Sequence, residues 1–187
     1  ANSYSGQTLV SNGTLVINGS TGTNTLAVVS GTLAGNGAIG GGAALYSGNA
    51  IAPGADVNPG TVGTLTITNG LALTNATLYF DLANTPTVGG GVNDLLSLSG
   101  GALVLSGANT VVPNLLNGNL TAGTYTLIGG GSSTVGSAAN LAWAGDTGSR
   151  QTFTFDTTTS PGSVFLNVAG QPPATLVWSG TNGSAWD

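Results

Sequence analysis

Thr8-Leu9-Val10-Ser11-Asn12-Gly13-Thr14-Leu15-Val16-Ile17 is the stretch on which the fold turns. Two very short apolar runs flank Ser11-Asn12-Gly13, a triplet whose Asn-Gly pair adopts positive φ readily and turns the chain sharply. Alternation within each run sends successive side chains to opposite faces, the mark of a strand. In isolation such a unit reads as a β-hairpin. The phrase Gly-Thr-Leu returns, however, at Gly13-Thr14-Leu15, Gly31-Thr32-Leu33 and Gly63-Thr64-Leu65. Repetition at short intervals reads better as successive coils of a solenoid, each burying its inward Leu, Val or Ile on the coils before and after it. At about 20 residues per coil, the first ~85 residues predict roughly four coils.

Further strands are expected at Thr25-Leu26-Ala27-Val28-Val29, Gly37-Ala38-Ile39, Thr64-Leu65-Thr66-Ile67-Thr68, Leu71-Ala72-Leu73 and Thr77-Leu78-Tyr79-Phe80-Asp81-Leu82. Helix signals are missing: Glu and Lys, which normally populate helix surfaces, do not occur. Near Pro86 the pattern changes. Longer alternating runs follow, among them Asp94-Leu95-Leu96-Ser97-Leu98-Ser99, Gly123-Thr124-Tyr125-Thr126-Leu127-Ile128 and Gln151-Thr152-Phe153-Thr154-Phe155-Asp156. Long, cleanly alternating strands suit an antiparallel sheet. The expected organisation is therefore solenoid coils over 1–85, then a β-rich continuation or sandwich-like unit over 86–170. After the paired prolines Pro172-Pro173, residues 171–187 read as a linker and the start of a next unit or a partner-pairing strand.

Composition narrows the function. Six acidic residues face a single base, Arg150, for a net charge of −5. Only 4% of residues are charged, against roughly 25% in an average globular domain. One cation cannot neutralise a row of phosphates, so nucleic acid is excluded as a partner. No apolar run of about 18 residues is present to span a bilayer as a helix. Cysteine is absent, which removes disulfides and thiolate metal sites. Scarcity of Lys and Arg leaves trypsin-like proteases little to cut, which suits life outside the cell. Ala1 opens the sequence without a leader or an initiator Met, which reads as a processed or excised chain.

Several phrases, in order, resemble the autotransporter-associated β-strand repeat of very large secreted bacterial proteins. Ala1-Asn2-Ser3-Tyr4-Ser5-Gly6-Gln7-Thr8 with Asn12-Gly13-Thr14-Leu15 is similar to its opening phrase, and Gly31 to Ile39 is similar to the next. Ile51-Ala52-Pro53-Gly54, Pro59-Gly60 and Gly63-Thr64-Leu65-Thr66-Ile67 resemble its Ala-Pro-Gly segment. Asn93 to Gly100 and Ala122 to Ile128 match later parts, and Trp178 to Asp187 resembles the Trp-rich opening of a following unit. Gly40 to Asn49 and Ala55 to Asn58 depart from the pattern. The resemblance implies a right-handed parallel β-helix at the bacterial cell surface or outside the cell, used for adhesion or matrix building.

Chemistry has few carriers here. Without His, Cys, Glu or Lys, a serine nucleophile has no base and zinc lacks its usual ligands. Asp81 and Asp94 flank the change of pattern and are placed to approach each other, and paired carboxylates are what a glycosidase needs. The plainer reading, which we prefer, puts Asp81 toward solvent and Asp94 after a turn. Asn93-Asp94 behind Gly89-Gly90-Gly91 offers too few oxygen ligands for calcium. Threonine pairs such as Thr64/Thr66 and Thr152/Thr154 are ordinary for exposed strands. Tyr4, Tyr46, Trp143, Trp178 and Trp186 could stack on sugars or pack against protein.

No enzyme activity and no cofactor or metal is expected. The expectation is an extracellular structural or adhesive protein, with a carbohydrate-binding module as the alternative and a polysaccharide-degrading enzyme behind it. Because the phrases begin mid-unit and end at a new opening, partners are expected to be further copies or tandem units, with surface glycans as a second class. Thr175, Leu176, Val177, Trp178 and Trp186 are the expected assembly interface, by strand addition to a neighbour.

Overall fold

A computed structural model describes residues 4, 6–54, 61–145 and 150–170. It is an all-β chain whose strands succeed one another around three sheets. The first circuit contributes β1 (Thr8–Val10) and β2 (Thr14–Val16). The second contributes β3 (Leu26–Val28), β4 (Thr32–Gly35) and β5 (Ala38–Ile39), and the third β6 (Ala43–Leu45), β7 (Ala50–Pro53) and β8 (Thr64–Ile67). Then come β9 (Leu71–Thr74), β10 (Thr77–Leu82) and β11 (Leu95–Leu98), followed by β12 (Ala102–Ser106), β13 (Asn109–Leu115) and β14 (Gly123–Gly129). The last circuit holds β15 (Ser133–Val135), β16 (Leu141–Trp143), β17 (Gln151–Asp156) and β18 (Val164–Gly170).

Sheet A runs β1-β3-β6-β9-β12-β15 and sheet B runs β16-β13-β10-β7-β4-β2, and every pairing in both is parallel. Sheet C runs β17-β18-β14-β11-β8-β5, parallel from β14 to β5. The parallel ladders thus run through position 86 without a break. Among the described residues, antiparallel pairing between strands is confined to β18 against β14 and to the β17–β18 hairpin, with one isolated antiparallel bridge between Gly35 and Gly54.

In-register stacking puts like residues in columns. On sheet B, Leu15, Leu33, Ile51, Leu78, Val111 and Trp143 stack in one inward column. On sheet A the column is Val10, Val28, Leu45, Leu73 and Leu105. These join Ile39, Ile67, Leu65 and Leu96 from sheet C in one core. Each Leu or Ile buried this way contributes roughly 1.5–3 kcal/mol. Thr14, Thr32, Thr77 and Thr110 stack on the outer side of sheet B, interrupted by Ala50.

The three corners differ. Between sheets C and A the turn is three residues long and rich in Gly; Gly101 has φ +69°, and a Cβ there would run into the backbone of Asn69 in the coil below. Between A and B the corner is held by asparagine. Between B and C the connection begins as Asn36-Gly37, widens to residues 54–63 and 83–94, and shortens again to 116–122. The repeat therefore grows. Asn18 and Asn36 are bonded eighteen residues apart, whereas Asn75 and Ala108 are bonded 33 apart. A constant period near 20 residues does not hold, because the B–C connection lengthens first and the sheet-B strands then grow, from 4 residues in β7 to 6 in β10 and 7 in β13.

Candidate functional site

The widened B–C corner gathers the buried polar side chains that the sequence brought to notice. Asp94 is 2% exposed and Asp81 8%. Asp94 Oδ1 accepts the Gly63 N–H at 2.7 Å and Oδ2 accepts the Asp81 N–H at 2.7 Å. The Asp94 N–H in turn donates to the Asp81 carbonyl at 2.9 Å. Asn114, one coil on, donates from Nδ2 to Asp81 Oδ1 at 2.6 Å. Asn93 accepts the Ala83 N–H and donates to the Thr85 and Thr87 carbonyls at 2.7 and 2.6 Å.

The structure brings Asp81 and Asp94 together, and the preferred reading of Asp81 as solvent-facing is wrong, since Asp81 is buried. Asn114 and the corner cover it, because the coils on either side stack in register. Burial pushes the Asp94 carboxyl up to about 7, against the Asp81 and Gly63 amides that pull it down; the nearby Asp81 charge pushes the same way as burial. Both Asp94 oxygens are committed to backbone donors from two coils. The arrangement clamps a corner, with both carboxylate oxygens of Asp94 spent on backbone amides rather than held free as a glycosidase requires. Asn93 and Asp94 likewise spend their oxygens on amides, which leaves little for a cation. Among the described residues no group of three or more His, Cys, Asp or Glu side chains could hold a metal ion.

The A–B corner has its own device, which sequence reasoning missed. Asn49 Oδ1 accepts the Gly31 N–H at 2.9 Å, and its Nδ2 donates to the Val28 and Tyr46 carbonyls at 2.8 and 2.9 Å. Asn109 repeats this, accepting from Ala76 at 2.9 Å and donating to the Ser106 and Asn140 carbonyls at 3.2 Å. Each amide thereby satisfies backbone groups in the coil before and in its own turn, and Asn109 also reaches the coil after it at Asn140. The signal available in the sequence was an Asn at the start of a sheet-B strand, at Asn49-Ala50 and Asn109-Thr110.

The two ends of the stack are unlike. At the far end, Trp143 on β16 stacks on Phe153 of β17 with centroids 5.0 Å apart and meets Phe155 edge-on at 6.5 Å. The β17–β18 hairpin thus covers the last coil with an aromatic layer. At the near end β1 and β2 are edge strands of sheets A and B. Leu9 is 58% exposed and Val16 40%. Leu15 is only part-buried, although Leu33, Ile51 and Leu78 in its column are fully buried. A shallow depression between β1 and β2 has Val10 and Leu15 among its lining. Of the aromatic candidates, Tyr46 is exposed on the outer side of sheet A and Tyr4 is exposed near the open end. Thr175, Leu176, Val177, Trp178 and Trp186 lie outside the described residues.

No protein family matches the chain, and no curated protein is detectably similar to it. No helix among the described residues is long and apolar enough to cross a membrane.

Proposed function

We propose that this chain is a unit of an extracellular structural or adhesive protein, a right-handed parallel β-helix that continues through further copies of itself into a surface array or fibre. The near end of the stack carries this reading, since among the described residues no strand pairs with the outer edges of β1 and β2. Edge strands with unpaired N–H and C=O groups are templates for pairing, and soluble proteins ordinarily blunt them with charge, proline or a covering segment. β1 and β2 carry no charged residue and no proline, and display Leu9 and Val16 instead. Right-handedness is supported by the strong preference of parallel crossover connections for that hand. The near absence of charge and the single trypsin-sensitive residue support a place outside the cell, at a bacterial surface. The resemblance to the autotransporter-associated repeat supports the same placing.

The buried, backbone-bonded state of Asp81 and Asp94 favours the non-enzymatic reading. An Asp81→Asn or Asp94→Asn chain that lost a polysaccharide-cleaving activity of the intact chain would reverse it. Exposed Tyr46 beside a charge-free sheet face favours carbohydrate binding as the second reading, and a glycan-array signal abolished by Tyr46→Ala would establish it. The direct test of the main reading is electron microscopy of the native chain at low concentration. Regular filaments with a subunit-sized repeat are expected. Dispersed particles at every concentration would count against self-assembly.

A further inference from the structure

The near end of the stack is shaped for one particular strand. Reading across sheet B, the first two coils carry Thr14-Leu15-Val16-Ile17-Asn18-Gly19 and Thr32-Leu33-Ala34-Gly35-Asn36-Gly37, paired Thr to Thr and Leu to Leu. The phrase also occurs at Thr8 to Gly13 and Thr126 to Gly131, whose strands are already placed in sheets A and C, and once outside the described residues, as Thr175-Leu176-Val177-Trp178-Ser179-Gly180. Placed against the free edge of β2 in that register, Thr175 would extend the outer threonine column. Leu176 would extend the inward column and cover the half-bare Leu15.

Glycine supplies a second, independent sign. A Cβ at Gly37 would collide with the Gly19 carbonyl oxygen of the coil before, so the stack demands glycine at position 37. The Gly37 N–H donates to the Ile17 carbonyl at 2.8 Å, and the Ala38 N–H to the Gly19 carbonyl at 2.8 Å. One coil earlier, Gly19 stands in the equivalent place with nothing within 4 Å of such a Cβ, and its φ lies outside the left-handed region. Among the described residues nothing requires glycine there. A strand stacked ahead of β2 would, because the Gly180 and Trp178 carbonyls would then occupy the positions that those of Gly19 and Ile17 hold beneath Gly37.

The strand cannot come from the same molecule. From β18 the sheet-C order β18-β14-β11-β8-β5 takes four strand spacings to reach the second coil; the first coil and the docking position add two more. Six spacings amount to about 29 Å. The chain from Gly170 to Thr175 spans roughly 18 Å at full stretch. We infer that residues 175–180 of one copy dock as an added parallel strand on the β2 edge of a second copy, seating Leu176 on Leu15 and Gly180 against Gly19. This inference rests on the self-assembly reading above and names its contact.

Sedimentation of full-length variants tests it. Gly19→Ala removes the acceptor while adding a methyl group in open space, so its melting temperature should match the parent. Leu176→Asp removes the donor. Each variant alone should stay monomeric where the parent assembles, and an equal mixture should form dimers and nothing larger, since one good donor meets one good acceptor. If both variants assemble as the parent does, this contact is wrong and self-assembly stands by other surfaces. If the parent itself stays monomeric, a labelled peptide of residues 174–187 decides. Binding to the parent, weakened about tenfold or more by Gly19→Ala, keeps the contact while self-assembly of the free chain falls. No binding overturns the contact.

Discussion

Burial and hydrogen bonding pull the Asp94 carboxyl in opposite directions, and burial prevails. Its folded value of about 7 lies above the ordinary 3.8, so between those values the native chain holds a proton that the unfolded chain has released. The associated stability is full below about pH 3.8 and is lost as pH rises through about 7. Thermal melting should accordingly be higher at pH 5 than at pH 8, by roughly 5 °C or more. Asp94→Asn should flatten that dependence and lower stability at pH 5 by about 1–3 kcal/mol, because one of two backbone amides would then face an NH2 group. A steeper melting curve against pH in the variant would refute this. The buried asparagines make a comparable prediction. Asn109→Ala strands the Ala76 N–H and two carbonyls, and should cost about 2–4 kcal/mol in urea denaturation. Asn117→Ala, exposed in the B–C connection, should cost little.

At the scale of the element, the hairpin β17–β18 is joined to the stack by one antiparallel pairing and by the aromatic layer over Trp143. Truncation by Trp143→Ala should free the hairpin before it frees the coils. Amide exchange should speed up in Gln151–Asp156 while β10 and β13 keep their protection. Uniform loss of protection would mean that hairpin and coils unfold together. This hairpin also shows what the sequence could and could not convey. Alternation in Gln151–Asp156 and in Gly123–Gly129 is equally clean, and both are strands. Yet β14 pairs in parallel with β11 on one side and antiparallel with β18 on the other. Alternation reports that a strand has one dry and one wet face; it carries nothing about the direction of the neighbour. The reversal is legible only locally, in Asp156-Thr157-Thr158-Thr159, where Asp156 accepts the Thr158 and Thr159 N–H groups and bends the chain. The inward Leu columns were legible because the repeated Gly-Thr-Leu phrase marks the same point of successive coils. The Asp94 clamp was half legible: proximity to Asp81 followed from the chain, but burial depended on Asn114, 33 residues downstream of Asp81.

For the whole molecule, folding couples short strands that are far apart in sequence, with no α-helix among the described residues to organise them. Every coil uses its predecessor as template, so order propagates along the stack rather than condensing from one centre. The unequal coils then have a mechanical meaning. A chain held by its two ends and pulled should surrender its rungs one after another, each lengthening the tether by its own residue count. Rungs of eighteen residues at the near end release about 6 nm, and those of 33 residues beyond the middle release about 11 nm. A single-molecule extension trace would carry these steps as a ruler, short ones first if the chain unravels from β1 and long ones first if the hairpin yields. The change from short coils to long ones would in this way record, in nanometres, which end of the protein is the weaker under load.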